Sequence, residues 1–272
     1  MKEKDANLKQ NIKNFIKNTA LKFHLILNSY PDRRKNLVDE FLAKLKIIDS
    51  GYQLIRVGAD TDGGYLIPNI LDQIEFVFSP GVGENSSFED HLQNFNIKSF
   101  LADGTVNYNR NHDFIKKNLN CFNDENNITL ETWINEKVKD KSNDKILLQM
   151  DIEGSEIEVL YQADSNLLER FKCIVIEFHH FNEIINELGL KIYSNIFDKI
   201  LKTHFIVHIH PNNNSNISII NNNKIPGTLE ITFINKKITK YIKKIEYNLP
   251  HKLDKDCVQN RTHIKLPEIF YK

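Results

Sequence analysis

The feature that most limits this chain's fold is a series of continuously apolar runs separated by helical stretches. The runs are "EFVFSP", "KSFLAD", "KILLQMD", "FKCIVIEFHH", "HFIVHIHPNNN" and "GTLEITFIN". Between them lie "SSFEDHLQNF", "SEIEVLYQ" and "EIINELGLKIYSNIFDKILKT", and "ITLETWINEKV" reads as extended and then helical. A strand that is apolar at every position is covered on both faces, which is the condition of a parallel strand between helical layers. The pattern predicts an α/β fold, a doubly wound sheet with helices on both faces. In such sheets ligands bind beyond the carboxyl ends of the strands, near the point where strand order reverses. Two shorter strand-like runs, "YQLIRVG" and "GGYLIP", flank the turn "ADTDGG" ahead of this series.

The N-terminal part reads differently. Leu8, Ile12, Phe15, Ile16 and Phe23 recur at helical spacing, with Lys9, Lys13 and Lys17 on a flanking face. Residues 1–48 carry eleven Lys and Arg against five Asp and Glu, a solvated basic face or a docking surface for a membrane or an anionic polymer. "YPDRRKN" punctuates, and "LVDEFLAKLKII" reads as a second helix. The expected organisation is a helical extension over 1–49 and one larger domain over 50–272. The stretch from Pro211 to Lys224, rich in asparagine, reads as a polar loop between the last strands.

Composition excludes several classes. The formal net charge is zero, which argues against nucleic acid as a partner. Cys121, Cys173 and Cys257 are odd in number, far apart and outside any CxxC, so neither a disulfide framework nor a cysteine zinc site is expected. Cys173, inside "CIVIEF", reads as a small core residue. No apolar run has the roughly 18 residues of a membrane-spanning helix, and the N-terminus lacks an apolar signal core. A cytoplasmic protein acting on a small molecule is the expectation; the oligomeric state is not readable.

Two turns carry the chemistry. In "FVFSPGVGENSSFEDHL" a strand gives way to Gly81 and Gly83, which permit a tight turn and close approach of a ligand to the backbone. Ser86 or Ser87 would cap the helix that follows. Asp103 ends the next strand 22 residues after Gly81, about where an acid accepts hydrogen bonds from ribose hydroxyls. Ser86 stands where a dinucleotide fingerprint has its third glycine, so a nucleoside cofactor without a pyrophosphate, such as S-adenosylmethionine, suits the turn better than NAD. The second turn lies in "LLQMDIEGSEIEVL". There a strand delivers Asp151 and Glu153 at its carboxyl end, Gly154 frees the backbone, and a helix begins. Acids so placed bind something, or else Glu153 and Ser155 only cap the helix.

With these turns the sequence resembles the FkbM family of S-adenosylmethionine-dependent methyltransferases. The matching pieces, in family order, include "IRVGADTDGGYLIP", "VFSPGVGENSSFE", "LADGTV", "ITLETWI", "LLQMDIEGSEIEVL", "IVIEFHH", "HIHPNN", "IPGTLEITFIN" and "LPHKLD", over roughly residues 50–255. The resemblance implies a class I methyltransferase (Rossmann-like) fold of seven mostly parallel strands, the last one antiparallel. It also implies S-adenosyl-L-methionine as cofactor and methyl transfer to a hydroxyl, commonly of a sugar or a glycosylated or polyketide product, as in surface polysaccharide or glycoconjugate biosynthesis. By position, Gly81, Gly83 and Asn85 would line the methionine part of the cofactor. Asp103 would hold the ribose, with Gly104 and Thr105 beside it. Ser79 and Pro80 depart from the pattern: many methyltransferases have an acid there, and the contact to the cofactor's amino group is left unassigned.

Methyl transfer to a weakly acidic hydroxyl needs an in-line acceptor and a route for its proton, through a base or a metal ion. Glu177 and His179 share one face of "IVIEFHH", and His208 and His210 share one face of "FIVHIHP". The expected arrangement has His179 as base or orienter, with Asp151 and Glu177 near the acceptor hydroxyl and His208 and His210 at a neighbouring strand end. A divalent ion on Asp151, Glu177 and a histidine is compatible with these residue types but is not the favoured reading. Arg56 and "DTDGGY" form a hairpin turn or close over the site. The tail "LPHKLDKDCVQNRTHIKLP" reads as a surface flap, from which His251, Arg261 and His263 would meet an anionic substrate such as a nucleotide-sugar. The competing readings are an NAD-dependent oxidoreductase, a non-catalytic nucleoside-binding module, and transfer to a non-sugar hydroxyl or an amine.

Overall fold

The computed structural model describes residues 32–107, 111–220 and 223–271. The basic helix expected around Leu8 to Phe23 lies outside them. In chain order the described elements begin with α1 (Asp32–Lys44), β1 (Ile48–Asp49), β2 (Leu54–Gly58), β3 (Gly64–Pro68) and β4 (Phe76–Pro80). Next come α2 (Ser87–Gln93), β5 (Lys98–Ala102), β6 (Asp113–Ile115), β7 (Asn118–Leu119), β8 (Asn127–Ile128) and α3 (Leu130–Lys137). The series continues with β9 (Ile146–Met150), α4 (Glu156–Gln162), α5 (Ser165–Glu169), β10 (Phe171–Phe178), α6 (Glu187–Thr203) and β11 (His204–Pro211). It closes with β12 (Ile217–Ile220), β13 (Asn223–Pro226), β14 (Leu229–Asn235) and β15 (Lys243–Lys244).

Seven strands form the main sheet in the order β11-β14-β10-β9-β4-β5-β6. Neighbours from β6 to β10 pair in parallel, and β14 runs antiparallel to both β10 and β11. This is the mixed, mostly parallel sheet with one reversed strand that the resemblance implied. The chain starts this sheet at β4, moves outward through β5 and β6, then returns to place β9 on the other side of β4. The reversal opens a crevice between the carboxyl ends of β4 and β9, at residues 80 and 150.

The apolar runs are strands because both faces are buried. Every residue of β9 is buried, and so are Ile174, Val175 and Ile176 of β10. On one side of the sheet, α6 presents Leu190, Tyr193, Ile196, Phe197 and Ile200 at helical spacing. Phe197 packs on Phe178 with ring centroids 5.0 Å apart and on Phe41 at 5.6 Å. Val38, Phe41, Leu42 and Leu45 of α1 join the same core. Trp133 of α3 meets Phe78 edge-to-face at 5.0 Å. On the other side, α2 and the β2–β3 hairpin cover the sheet through Val57, Tyr65, Phe88 and Leu92.

Local chemistry sets the helix starts. The Thr129 hydroxyl accepts from Thr132 N–H at 3.3 Å, and Asp164 accepts from Leu167 N–H at 2.7 Å. The asparagine-rich stretch expected to be a loop instead contains a hairpin, β12 paired with β13. Its short isoleucine run supplies β-propensity. Among the described residues no helix is long and apolar enough to cross a membrane.

Candidate active site

At the crevice, Gly81 N–H donates to the Ala102 carbonyl at 2.9 Å and Asp151 N–H donates to the Pro80 carbonyl at 3.3 Å, which ties the ends of β4, β5 and β9 together. Gly81 has φ +83°, and a Cβ there would overlap the Asp151 carbonyl oxygen. Gly83 also has positive φ, +53°, but a Cβ on it would meet nothing within 4 Å. The first glycine is therefore required by close packing, and the second faces open space.

Two cavities meet at this turn and share Gly81, Gly83 and Asp151. The larger, about 350 Å³, is lined by Asp103, Thr105, Leu119, Asn120, Ile152 and Glu153 among others. The Asp103 carboxylate accepts from Gly83 N–H at 2.9 Å, Thr105 N–H at 2.7 Å and Thr105 Oγ at 2.6 Å. Burial pushes its pKa up, but the bonds from Thr105 and Gly83 outweigh this and hold it below the usual value. Val106 N–H also donates to this carboxylate, so a ligand hydroxyl in the cavity would share its oxygens with these donors or displace one of them.

The smaller cavity, about 230 Å³, is acidic. Asp62, Glu84, Glu89 and Asp151 line it, with Asn85 and Gln149, and among the described residues no lysine, arginine or histidine does. Glu89 comes from α2 but is only 2% exposed, because it folds back onto the Ser79 hydroxyl at the end of β4, which also meets the Gln149 side chain. Burial pushes the Glu89 carboxyl above its usual range despite the bond to Ser79. Its second oxygen, Oε2, is buried with no hydrogen-bond partner.

Beyond Asp151 lies a cluster at the ends of β9 and β10. His179 Nε2 stands 3.9 Å from Asp151, 3.4 Å from Glu153 and 3.8 Å from Glu177, while Nδ1 meets Glu156 Oε1 at 3.1 Å. That Glu156 oxygen also accepts from Ile152 and Gly154 N–H, which seats the ring. Burial alone would lower the His179 pKa, yet the Glu156 hydrogen bond and the charges of Glu156, Asp151 and Glu177 raise it to about 9. Burial, with repulsion from Glu177, raises Asp151 well above the usual carboxylate range; burial also raises Glu177. Tyr65 reaches Asp151 Oδ2 at 3.4 Å, and Asn212 donates to Glu177 at 2.8 Å. Glu153 adopts φ +55°, a costly conformation for a non-glycine residue that lays its carboxylate over His179. Asp151, Glu156 and His179 each offer an atom within 4.8 Å of the others, a set that would suit a cation. Glu156 Oε1 already serves two backbone N–H groups and His179, which weighs against that use, while Glu156 Oε2 and Asp151 Oδ1 are buried without hydrogen-bond partners.

The remaining expected residues are placed as follows. His208 and His210 lie buried on β11, where Asp254 from the tail accepts from His208 Nε2 at 2.8 Å and stands 3.5 Å from His210. The sheet register aligns Glu177, Glu230 and His210 in one row across β10, β14 and β11, so this network adjoins the His179 cluster through Glu230. Ser86 precedes α2 and its hydroxyl donates to Asp90, and neither it nor Gly104 lines either cavity. A Cβ on Gly104 would overlap the Asn118 side chain. The tail is pinned across the strand ends by Asn213, which exchanges bonds with Val258. It brings Cys257 beside Asp62 and Glu177.

Sequence reading missed Glu89, Gln149, Tyr65, Asn212 and Asp254 as parts of this site. All five sat inside segments already singled out, Asp254 at the end of "LPHKLD", but only the folded structure shows that their side chains converge.

Residues 124–203 match the family model described as the methyltransferase FkbM domain. Over this segment the chain is similar to FkbM methyltransferases. That segment runs from β8 through α6, so it includes Asp151, Glu153, Glu156, Glu177 and His179 and ends before β11. No curated protein matches the chain. Among solved structures, a Pyrococcus horikoshii protein provisionally described as an RNA methyltransferase is similar at 8% identity, covering 60% of this chain and 75% of that one with a TM-score of 0.26. This likeness is too slight to inform the site.

Proposed function

We propose that the protein is an S-adenosylmethionine-dependent O-methyltransferase acting on a hydroxyl of a small polar acceptor, a sugar in the first instance. The observation that carries this reading is the pairing of two cavities across Gly81 and Gly83. One offers Asp103 to a ribose, and the other offers four acidic side chains and, among the described residues, no basic one to whatever continues from it. The anionic pyrophosphate of NAD would meet repulsion there, whereas a methionine end whose ammonium and sulfonium outweigh its one carboxylate would be attracted. The FkbM match supports methyl transfer on independent grounds.

S-adenosylmethionine bound there supplies an electrophilic methyl group. Asp103 with Thr105 would hold the nucleoside, and Asn85 with the Gly81–Gly83 backbone would border the methionine end. Asp151 and Glu177, whose raised pKa values make them stronger bases than ordinary carboxylates, would take the acceptor hydroxyl proton as the methyl–oxygen bond forms. His179, protonated near neutrality, would act as orienter rather than base by holding those carboxylates in place. A nucleotide-linked acceptor would need its phosphates directed away from this acidic cluster.

The test is transfer of labelled methyl groups from S-adenosylmethionine to a panel of free and nucleotide-linked sugars, with amines as the contrast. Labelled methyl ethers support the reading; label on nitrogen alone would move the acceptor to an amine.

A further inference from the structure

We propose that Glu89 receives the α-ammonium of the cofactor's methionine end, replacing the strand-end acid that Ser79 and Pro80 omit. The inference rests on the S-adenosylmethionine reading and adds a residue to it.

β4 ends without a carboxylate, so a cation beyond Gly81 has no partner from that strand. The fold returns one from the next helix. Glu89 lies ten residues after Ser79, and its Oε1 is held against the Ser79 hydroxyl. That hydroxyl has one proton but faces oxygens of both Glu89 and Gln149. Turning the Gln149 amide so that its nitrogen donates to Ser79 completes a chain from Gln149 through Ser79 to Glu89. This chain uses Oε1 and leaves Oε2 buried without a partner, on a residue that borders the smaller cavity, so a ligand group would reach Oε2 by a small turn of the carboxyl.

A buried carboxylate oxygen left unsatisfied is costly, and a cationic ligand in the cavity would remove the cost. Of the four acids that line it, Asp62 and Glu84 are exposed; Asp151 is half-buried, with Oδ2 meeting Tyr65 and Oδ1, also without a hydrogen-bond partner, 3.9 Å from the His179 ring. Glu89 alone is fully buried, so its attraction for a cation is the least screened by solvent. Fixed by Ser79 before the ligand arrives, it loses little side-chain freedom on binding.

The test titrates the full-length protein and its Glu89→Gln variant with three ligands: S-adenosylhomocysteine, the same molecule lacking its amino group, and 5′-methylthioadenosine. Glutamine keeps the volume and a bond to Ser79, and methylthioadenosine, which has no amino acid part, reports whether the variant is folded at the nucleoside half. The wild-type protein should prefer S-adenosylhomocysteine to its desamino form, and Glu89→Gln should lose about 10- to 100-fold for S-adenosylhomocysteine, as expected for one charge-assisted hydrogen bond. Its affinity for the other two ligands should stay within about threefold, so the preference for the amino group disappears. Ser79→Ala should cause a smaller loss in the same direction. Unchanged affinity for S-adenosylhomocysteine, or an equal loss for all three ligands, would overturn the assignment alone. If the wild-type protein binds none of the three, the cofactor reading falls and the assignment with it.

Discussion

Gly81 and Asp151 are packed so closely that the Asp151 carbonyl occupies the place of a Gly81 side chain. The contact joins the two strands between which the crevice opens, and it makes the two glycines of the turn unequal. Gly81→Ala should lower unfolding stability by about 2 kcal/mol or more, since it combines a left-handed backbone with backbone overlap. Gly83→Ala should cost about 1 kcal/mol, the conformational penalty alone, yet weaken S-adenosylhomocysteine binding because its methyl group would enter the cleft. Urea unfolding and calorimetry on both variants check the contrast.

Asp103 and Glu89 should separate by ligand. Asp103→Ala removes the carboxylate at the nucleoside half, so S-adenosylhomocysteine and 5′-methylthioadenosine should weaken together, by roughly 10- to 100-fold. Replacing Glu89 should spare the second ligand. Parallel titrations of the two variants read the difference.

The cluster around His179 should govern turnover. Glu177→Gln and His179→Ala are expected to lower the methyl-transfer rate by about 10²- to 10³-fold and leave S-adenosylhomocysteine affinity within about threefold. A chelator should leave the rate unchanged, because Glu156 Oε1, the oxygen that meets His179, already accepts from Ile152 and Gly154 N–H. A His179→Ala enzyme at full rate would remove the residue from the mechanism. Activity lost with a chelator and restored by a divalent cation would reinstate the ion at Asp151, Glu156 and His179.

Stability should depend on pH through Asp254. His210 is raised from an ordinary value near 6.5 to about 9; burial opposes the shift and Asp254 drives it, with help from Glu230 and Asp256. A histidine raised in the folded state stabilises fully below about 6.5 and loses that contribution as pH rises through about 9. Asp254 is depressed, chiefly by His208 and His210 against burial, so its contribution is present above about 3.9 and lost as pH falls below it. Neighbouring Glu230, raised to about 8 by burial, also titrates across the alkaline window. The decisive quantity is therefore the difference between wild type and Asp254→Asn. That difference should be largest between about pH 4 and 6.5 and shrink by up to about 3 kcal/mol by pH 9.5. Urea midpoints at pH 6 and 9.5 measure it.

The parts of this fold that were readable from sequence are those where burial is uniform. β4, β5, β9 and β10 are apolar at nearly every position because both faces are covered, and that pattern survives without tertiary information. Asp103 and Asp151 were readable as strand-end acids because strand ends in a parallel sheet point toward the crevice. Glu89 was not, since an acid in the first turn of a short helix usually faces solvent, and only the contact with Ser79 on the sheet buries it. His208 and His210 were rightly placed on one face, but their partner Asp254 lies more than forty residues later in a tail with no periodic pattern. The β12–β13 hairpin was hidden by the asparagines around its short strands.

The most direct measurement is isothermal titration of the full chain with S-adenosylhomocysteine and, separately, with NAD. Micromolar binding of S-adenosylhomocysteine, weakened by Asp103→Ala, with no binding of NAD, is the expected result. Binding of NAD with none of S-adenosylhomocysteine would contradict the assignment of the Gly81–Gly83 crevice to a methyl donor.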